Sequence, residues 1–241
     1  MPVTVLDSDS AADTIGASFR RHRPGPEREL IEWFLAEMPI DIPRGCRMTV
    51  FCEPRLESGF PDLVAVLWNV RTTRVWNDAR AELSRGDLRL MHYLHQLGFC
   101  HNEQLVSVFG RSVAASLGRL KSAEMIRRVG ETWGPRALSY SYAVKRIIAV
   151  EAKVNEWAAA LEQAALNTWF ASESYVLVPR LPRGGRLMDA AKSLGIGIWT
   201  QTDQTTASLL TTRDHLPRSY ASWLFNEWAW RAIREYDGGD V

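Results

Sequence analysis

The chain has 241 residues, is 46% hydrophobic and 24% charged, and carries a formal net charge of +1, the make-up of a soluble globular chain of one large domain or two small ones. No apolar run approaches the roughly 18–20 residues that span a bilayer, and the acidic start MPVTVLDSDSAADTIG lacks the basic and apolar regions of a secretory signal, so a cytoplasmic protein without membrane partners is expected. Cys46, Cys52 and Cys100 are odd in number and lack CxxC spacing, which points away from a disulfide framework or a zinc site and towards buried thiols. His92 and His95, at i and i+3, read as packing or surface histidines rather than ligands.

Residues 1–24 are small and polar and end in RRHRPGP, which predicts a flexible lead-in stopped by Pro24 and Pro26. Pro26 suits a helix start, and Leu30, Ile31, Phe34, Leu35 and Met38 recur at helical spacing. Beyond Pro39, Pro43 and Gly45, MTVFCEPRLE and FPDLVAVLWNV read as adjacent strands. The second is apolar at nearly every position, as in a strand covered on both faces.

From about Ser84 the period changes. LRLMHYLHQLG, NEQLVSVFG and RSVAASLGRLKSAEMI predict three helices, and IRRVGETW with ALSYSYAV predicts two strands around the turn-prone GPR. Three helices and a hairpin in about 60 residues follow the order of a winged helix-turn-helix. This stretch is also the basic part of the chain. Between Ser84 and Lys145 nine Lys or Arg stand against four acids, a net +5, which leaves −4 for the rest. After it come the strand RIIAVEAK, the helix NEWAAALEQAALNTWFAS, the strand SYVLVP, a helix ending at Gly195, the strand IGIWTQ and a Trp-rich last helix. The outer parts together predict an α/β sandwich around a mixed sheet.

Chemistry concentrates at two strand ends. Asp62 follows Pro61 before one buried strand, and Glu151 and Lys153 follow the apolar IIAV of another. Residues two apart on a strand project to one side, so Glu151 and Lys153 are expected to share a face. Two carboxylates from neighbouring strands suit a hard divalent cation, and a lysine beside them suits an attacking water.

Pro61-Asp62 followed by Glu151-Ala152-Lys153 resembles the motif of the PD-(D/E)XK nuclease superfamily, whose fold is restriction-endonuclease-like. The resemblance implies that Asp62, Glu151 and the Ala152 carbonyl hold Mg2+ or Mn2+ and that Lys153 serves the nucleophilic water. It also implies a further acid on the first helix, best matched by Glu27 with Glu29 and Glu32 as rivals, and a supporting Gln163 from the Gln-Ala of the next helix. The separation of 89 residues between Asp62 and Glu151 is far longer than that family uses. Removing residues 84–145 leaves 27, an ordinary connection.

The resulting expectation is a lead-in at 1–24, a nuclease core at 25–83 and 146–241, and an inserted winged helix at 84–145. Arg111, Ser112, Ser116, Arg119 and Lys121 on or beside the recognition helix, with Arg127 and Arg128 on the wing and Arg136 near it, are the expected DNA-contacting residues. The expected function is hydrolysis of phosphodiester bonds, most naturally in DNA. The alternative is a catalytically silent DNA-binding or assembly subunit of the same fold. A homodimer or a partner protein is a mild expectation.

Overall fold

A computed structural model of the chain describes residues 3–9, 15–21, 23–201 and 216–236. In chain order the elements are strand β1 (Val3–Leu6), helix α1 (Pro26–Glu37), β2 (Cys46–Cys52), β3 (Leu63–Asn69), the short helix α2 (Val70–Thr73) and a 3-10 turn at Asp78–Glu82. Then come α3 (Arg85–Leu97), β4 (Cys100–His101), α4 (Asn102–Phe109), α5 (Val113–Ser122), β5 (Ile126–Val129), β6 (Thr132–Pro135) and α6 (Leu138–Ser141). The chain continues through β7 (Val144–Ala152), α7 (Trp157–Asn167), β8 (Glu173–Val178), α8 (Arg186–Leu194), β9 (Gly197–Thr200) and α9 (Tyr220–Tyr236).

Six strands form one mixed sheet in the order β1-β2-β3-β7-β8-β9, flanked by helices. The central pairs β2/β3 and β3/β7 are antiparallel, and β1/β2, β7/β8 and β8/β9 are parallel. Side-chain alternation builds both faces. Leu63, Ala65, Leu67, Ile148 and Val150 pack with Leu30, Ile31 and Phe34 of α1. Their neighbours Val64, Val66, Trp68, Ile147 and Ala149 share the opposite core with Trp223, Phe225 and Trp228 of α9. Each such large apolar side chain taken from water contributes roughly 1.5–3 kcal/mol before entropy is counted. Towards β9, Ala160, Ala164, Leu187 and Ala191 of α7 and α8 cover Val176 and Ile198.

The segment between β3 and β7 makes three helices and a second, antiparallel sheet in the order β4-β6-β5. Helix α3 starts with a capping box, in which Ser84 Oγ accepts from the Asp87 amide and the Asp87 carboxylate accepts from the Ser84 amide. Leu88, Leu94, Leu117 and Leu120 of this segment belong to the same continuous core as α9 and the large sheet. Because β3 and β7 are direct neighbours in that sheet, the long excursion between them leaves the strand pairing intact.

Three details differ from the sequence reading. Residues 3–6, expected within a flexible lead-in, add β1 to the sheet edge, where Val3 pairs with Met48 and Leu6 with Phe51; Leu6 is buried and anchors the strand in the core. The hairpin turns at Gly130-Glu131 rather than at Gly-Pro-Arg, because Gly130 adopts φ +56° and closes a two-residue loop between Val129 and Thr132. Residues 138–141, expected as strand, form α6 instead. Among the described residues, no helix is long and apolar enough to cross a membrane.

Gly197 in β9 marks a close approach. The Tyr175 ring lies 2.2 Å from where a Cβ would stand, and it stacks on Trp199 at 3.8 Å. Gly197→Ala is therefore expected to destabilise the protein by about 1–3 kcal/mol, read as a lower urea midpoint with unchanged slope.

Candidate active site

Strand register assembles the acids. Leu63 pairs with Val150 and Cys52 with Leu63, so one step further Asp62 stands opposite Glu151 and Glu53 opposite Asp62. Three carboxylates thus fall on one cross-strand row at the same end of β2, β3 and β7. Asp62 is the centre. Its Oδ2 accepts from the Ala152 amide at 2.8 Å, and its own carbonyl accepts from the Glu53 amide at 3.0 Å.

Glu151 is almost wholly buried, with 3% exposure. Burial, followed by the charge of Asp62, pushes its carboxyl up to about 8, with a hydrogen bond to Asp62 acting in the same direction; a hydrogen bond from Asn167 and the charge of Lys153 oppose the rise. The Asn167 amide donates to Glu151 Oε1 at 2.6 Å. Asp62 is likewise raised, first by burial, with the Ala152 amide and Lys153 pulling the other way. Two carboxyls so placed resist ionising together, and a proton or a cation between them relieves the strain.

Lys153 Nζ donates to Glu27 Oε2 at 2.9 Å. Burial lowers the lysine pKa, but the Glu27 hydrogen bond and the charges of Asp62, Glu27 and Glu151 outweigh it, so the net shift is upward. Lys153 is therefore an ammonium at neutral pH. The expectation that Glu151 and Lys153 share a face needs correction. Strand β7 ends at Ala152; beyond it Lys153 leans towards α1, while Glu151 turns to Asn167 of α7. Asp62 lies within the field of both.

Of the three candidate acids on α1, Glu27 is the one in the site. It lines a cleft of about 340 Å³ with Arg20, Arg23, Arg28, Ile31, Glu53, Asp62 and Lys153. Glu32 pairs with Arg28 at 2.7 Å, and Glu29 is exposed. Gln163 is exposed too, and Asn167, four residues on, is the α7 side chain that reaches Glu151. Glu53, Asn167 and Arg20 are the site residues that sequence reasoning missed. Among the described residues, no three carboxylates, imidazoles or thiols converge into a ready-made metal cage.

In the three-helix segment, Arg111, Ser112, Lys121, Arg127 and Arg128 are exposed and Ser116 half-buried. Arg119 is committed elsewhere. Its guanidinium donates twice to Asp87, at 2.9 and 2.8 Å, tying α5 to the cap of α3. Arg128 donates to the Gly130 carbonyl and to Glu131, and Arg127 lies over the Phe99 ring.

The raised Glu151 pKa fixes a sign. In the metal-free protein the folded state holds a proton that the unfolded chain releases near pH 4.5, so stability falls as pH rises from about 4.5 to about 8. Glu151→Gln removes this dependence. Urea unfolding in EDTA is expected to show the variant gaining on the wild type by a few kcal/mol between pH 5 and pH 9.

Comparisons of the chain with protein-family models, with curated proteins and with solved structures find no match.

Proposed function

We propose that the chain is a divalent-metal-dependent nuclease acting on DNA, with a restriction-endonuclease-like core and a winged helix inserted between β3 and β7. The carrying observation is the carboxyl pair of half-buried Asp62 and buried Glu151, in register on adjacent strands, of which Asp62 lines an open cleft together with Lys153.

The donor set fits a hard cation. Mg2+ keeps most of its waters and takes one or two carboxylates, which Asp62 and Glu151 would supply together with the Ala152 carbonyl. Bound there, such an ion would supply Lewis-acid polarisation of a phosphoryl oxygen and help to activate water. The protein's own groups do the rest. Asn167 fixes Glu151, and the Ala152 amide fixes Asp62. Lys153 presents an ammonium held in place by Glu27, suited to orient the attacking water and to offset the charge that grows on the phosphoryl oxygens.

Exposed Arg111, Lys121, Arg127 and Arg128 supply cations for phosphate contact from the inserted unit, whereas Arg119 serves the fold. The direct test is incubation of the purified chain with single-stranded and duplex DNA and RNA in Mg2+ or Mn2+, against an EDTA control. Cleavage of DNA that disappears with EDTA is expected. No cleavage of any substrate with either ion contradicts the proposal.

A further inference from the structure

Resting on the nuclease reading of the same cleft, a second observation concerns Arg20, in the lead-in. Main-chain bonds bind its segment to the end of β2: the Arg20 amide donates to the Glu53 carbonyl at 3.0 Å and the Arg55 amide to the Ser18 carbonyl at 2.7 Å. Glu53 has φ +51°, a left-handed conformation that a non-glycine residue rarely adopts and that commonly marks a functional constraint. Its carboxylate accepts from Arg20 Nε and Nη2, both at 3.0 Å. The guanidinium also lies over the Phe60 ring, 5.4 Å from its centre, and Nη2 is 3.9 Å from Asp62 Oδ1. One long side chain is thus held at three points beside the acid pair.

Two arginines that serve the fold look different, whereas Arg119, 43% exposed and bound twice by Asp87, differs from Arg20 in lining no part of the cleft. Arg80 and Arg231 are buried, and their donors go to Glu227 and to the carbonyls of Ser141, Ile15, Arg80 and Leu83. Arg20 is half exposed, at 49%. It lines the cleft, and Glu53 takes only two of its five N–H donors. A planar guanidinium fork, fixed along one edge by a carboxylate, is suited to bind a phosphate through its remaining donors. Arg23 and Arg28 line the same cleft beside Glu27, Glu53 and Asp62, so cationic and acidic groups stand together there, as a phosphodiester and its counter-cation require.

We propose that Arg20, aimed by Glu53, contacts the phosphodiester of the DNA substrate, so that the N-terminal segment supplies a substrate-binding cation to the site. Glu53 is a positioning residue in this scheme.

Affinity for fluorescein-labelled single-stranded and duplex DNA, measured by anisotropy in EDTA over a range of salt, tests this independently of cleavage. Arg20→Ala is expected to weaken binding about 5- to 10-fold at low salt and to lower the slope of log affinity against log salt by about one phosphate contact. Arg20→Lys gives up the two-point fork on Glu53 but keeps the cation, and is expected to bind within about 3-fold of wild type and to keep its salt slope. If Arg20 merely anchors its segment, the two variants lose affinity equally, and that result overturns the inference. So does unchanged affinity in Arg20→Ala, faster cleavage included, since that marks Arg20 as a plug over the acids. Wild type that binds no DNA in EDTA also overturns it. Wild type that binds through Arg20 yet never cuts contradicts the nuclease reading and leaves the Arg20 contact standing.

Discussion

Lys153→Met is expected to slow metal-dependent DNA cleavage by about a hundred- to a thousand-fold while leaving KM for DNA within a few-fold. The side chain sits at the cleft edge, bound to Glu27 and raised in pKa by the surrounding acids. Its charge is therefore present throughout the neutral range, and in the proposed mechanism it acts when negative charge builds on the phosphoryl oxygens. Asp62→Asn is expected to lose more, about a thousand- to ten-thousand-fold, because it removes the carboxylate at the centre of the row. It still offers an amide oxygen to the Ala152 N–H, so the fold is preserved. Glu27→Gln keeps a hydrogen-bond acceptor for Lys153 and should cost far less than either. Single-turnover rates at saturating DNA separate these effects from binding. A Lys153→Met variant that cuts at the wild-type rate removes Lys153 from the chemistry.

The largest stability effect is expected away from the site. Helix α9 is buried on nearly every side, yet it carries Asn226, Glu227 and Arg231, which must find partners inside the protein. Arg80 Nε donates to Glu227 at 3.1 Å, Asn226 Nδ2 donates to the same carboxylate at 2.9 Å, and Asn226 Oδ1 accepts from the Ala143 amide at 2.8 Å. Arg80 also stacks over Trp76 at 3.4 Å and is 1% exposed. Glu227→Ala strands that guanidinium without its counter-charge and is expected to cost about 3–5 kcal/mol in urea unfolding. Replacing both ions, Arg80→Met with Glu227→Leu, is expected to cost less than Glu227→Ala alone. A single variant that unfolds with the wild type shows that the pair is hydrated and not buried.

Both effects arise from contacts that join distant parts of the chain. The strands were legible because apolar alternation is local: Leu63, Ala65 and Leu67 against Val64, Val66 and Trp68 read directly as a strand covered on both faces. Asp62, Glu151 and Lys153 were legible as residue types at strand ends, and the pairing of β3 with β7 brings the two acids together as the long separation required. The hydrogen bonds that define their states were not legible. Lys153 meets Glu27 from 126 positions away, and Asp62 meets the Ala152 amide from 90.

Where reading failed, the signal was absent or misleading. In the sequence Glu53 reads as the middle of a strand running on to Glu57, although β2 stops at Cys52 and a left-handed residue turns the chain. Asn167 lies one turn beyond the Gln-Ala pair that drew attention to Gln163; the depth of α7 behind Glu151 cannot be read from its period. Arg20 sat in a small, polar stretch with the composition of a loose lead-in, and two main-chain hydrogen bonds to the β2 end hold it instead. Arg119 is basic and on the expected helix face, but an acid 32 positions earlier in the chain claims it.

The central claim is that Asp62 and Glu151 form a metal-dependent cleavage centre. Its most direct measurement is Mg2+- or Mn2+-dependent cutting of DNA by wild type beside Glu151→Gln, with thermal melts to show that both are folded. The expected result is cleavage by the wild type, abolished by EDTA and lost in a Glu151→Gln protein that melts no lower than the wild type at neutral pH. Equal cutting by both, or none by the wild type with either ion, contradicts it.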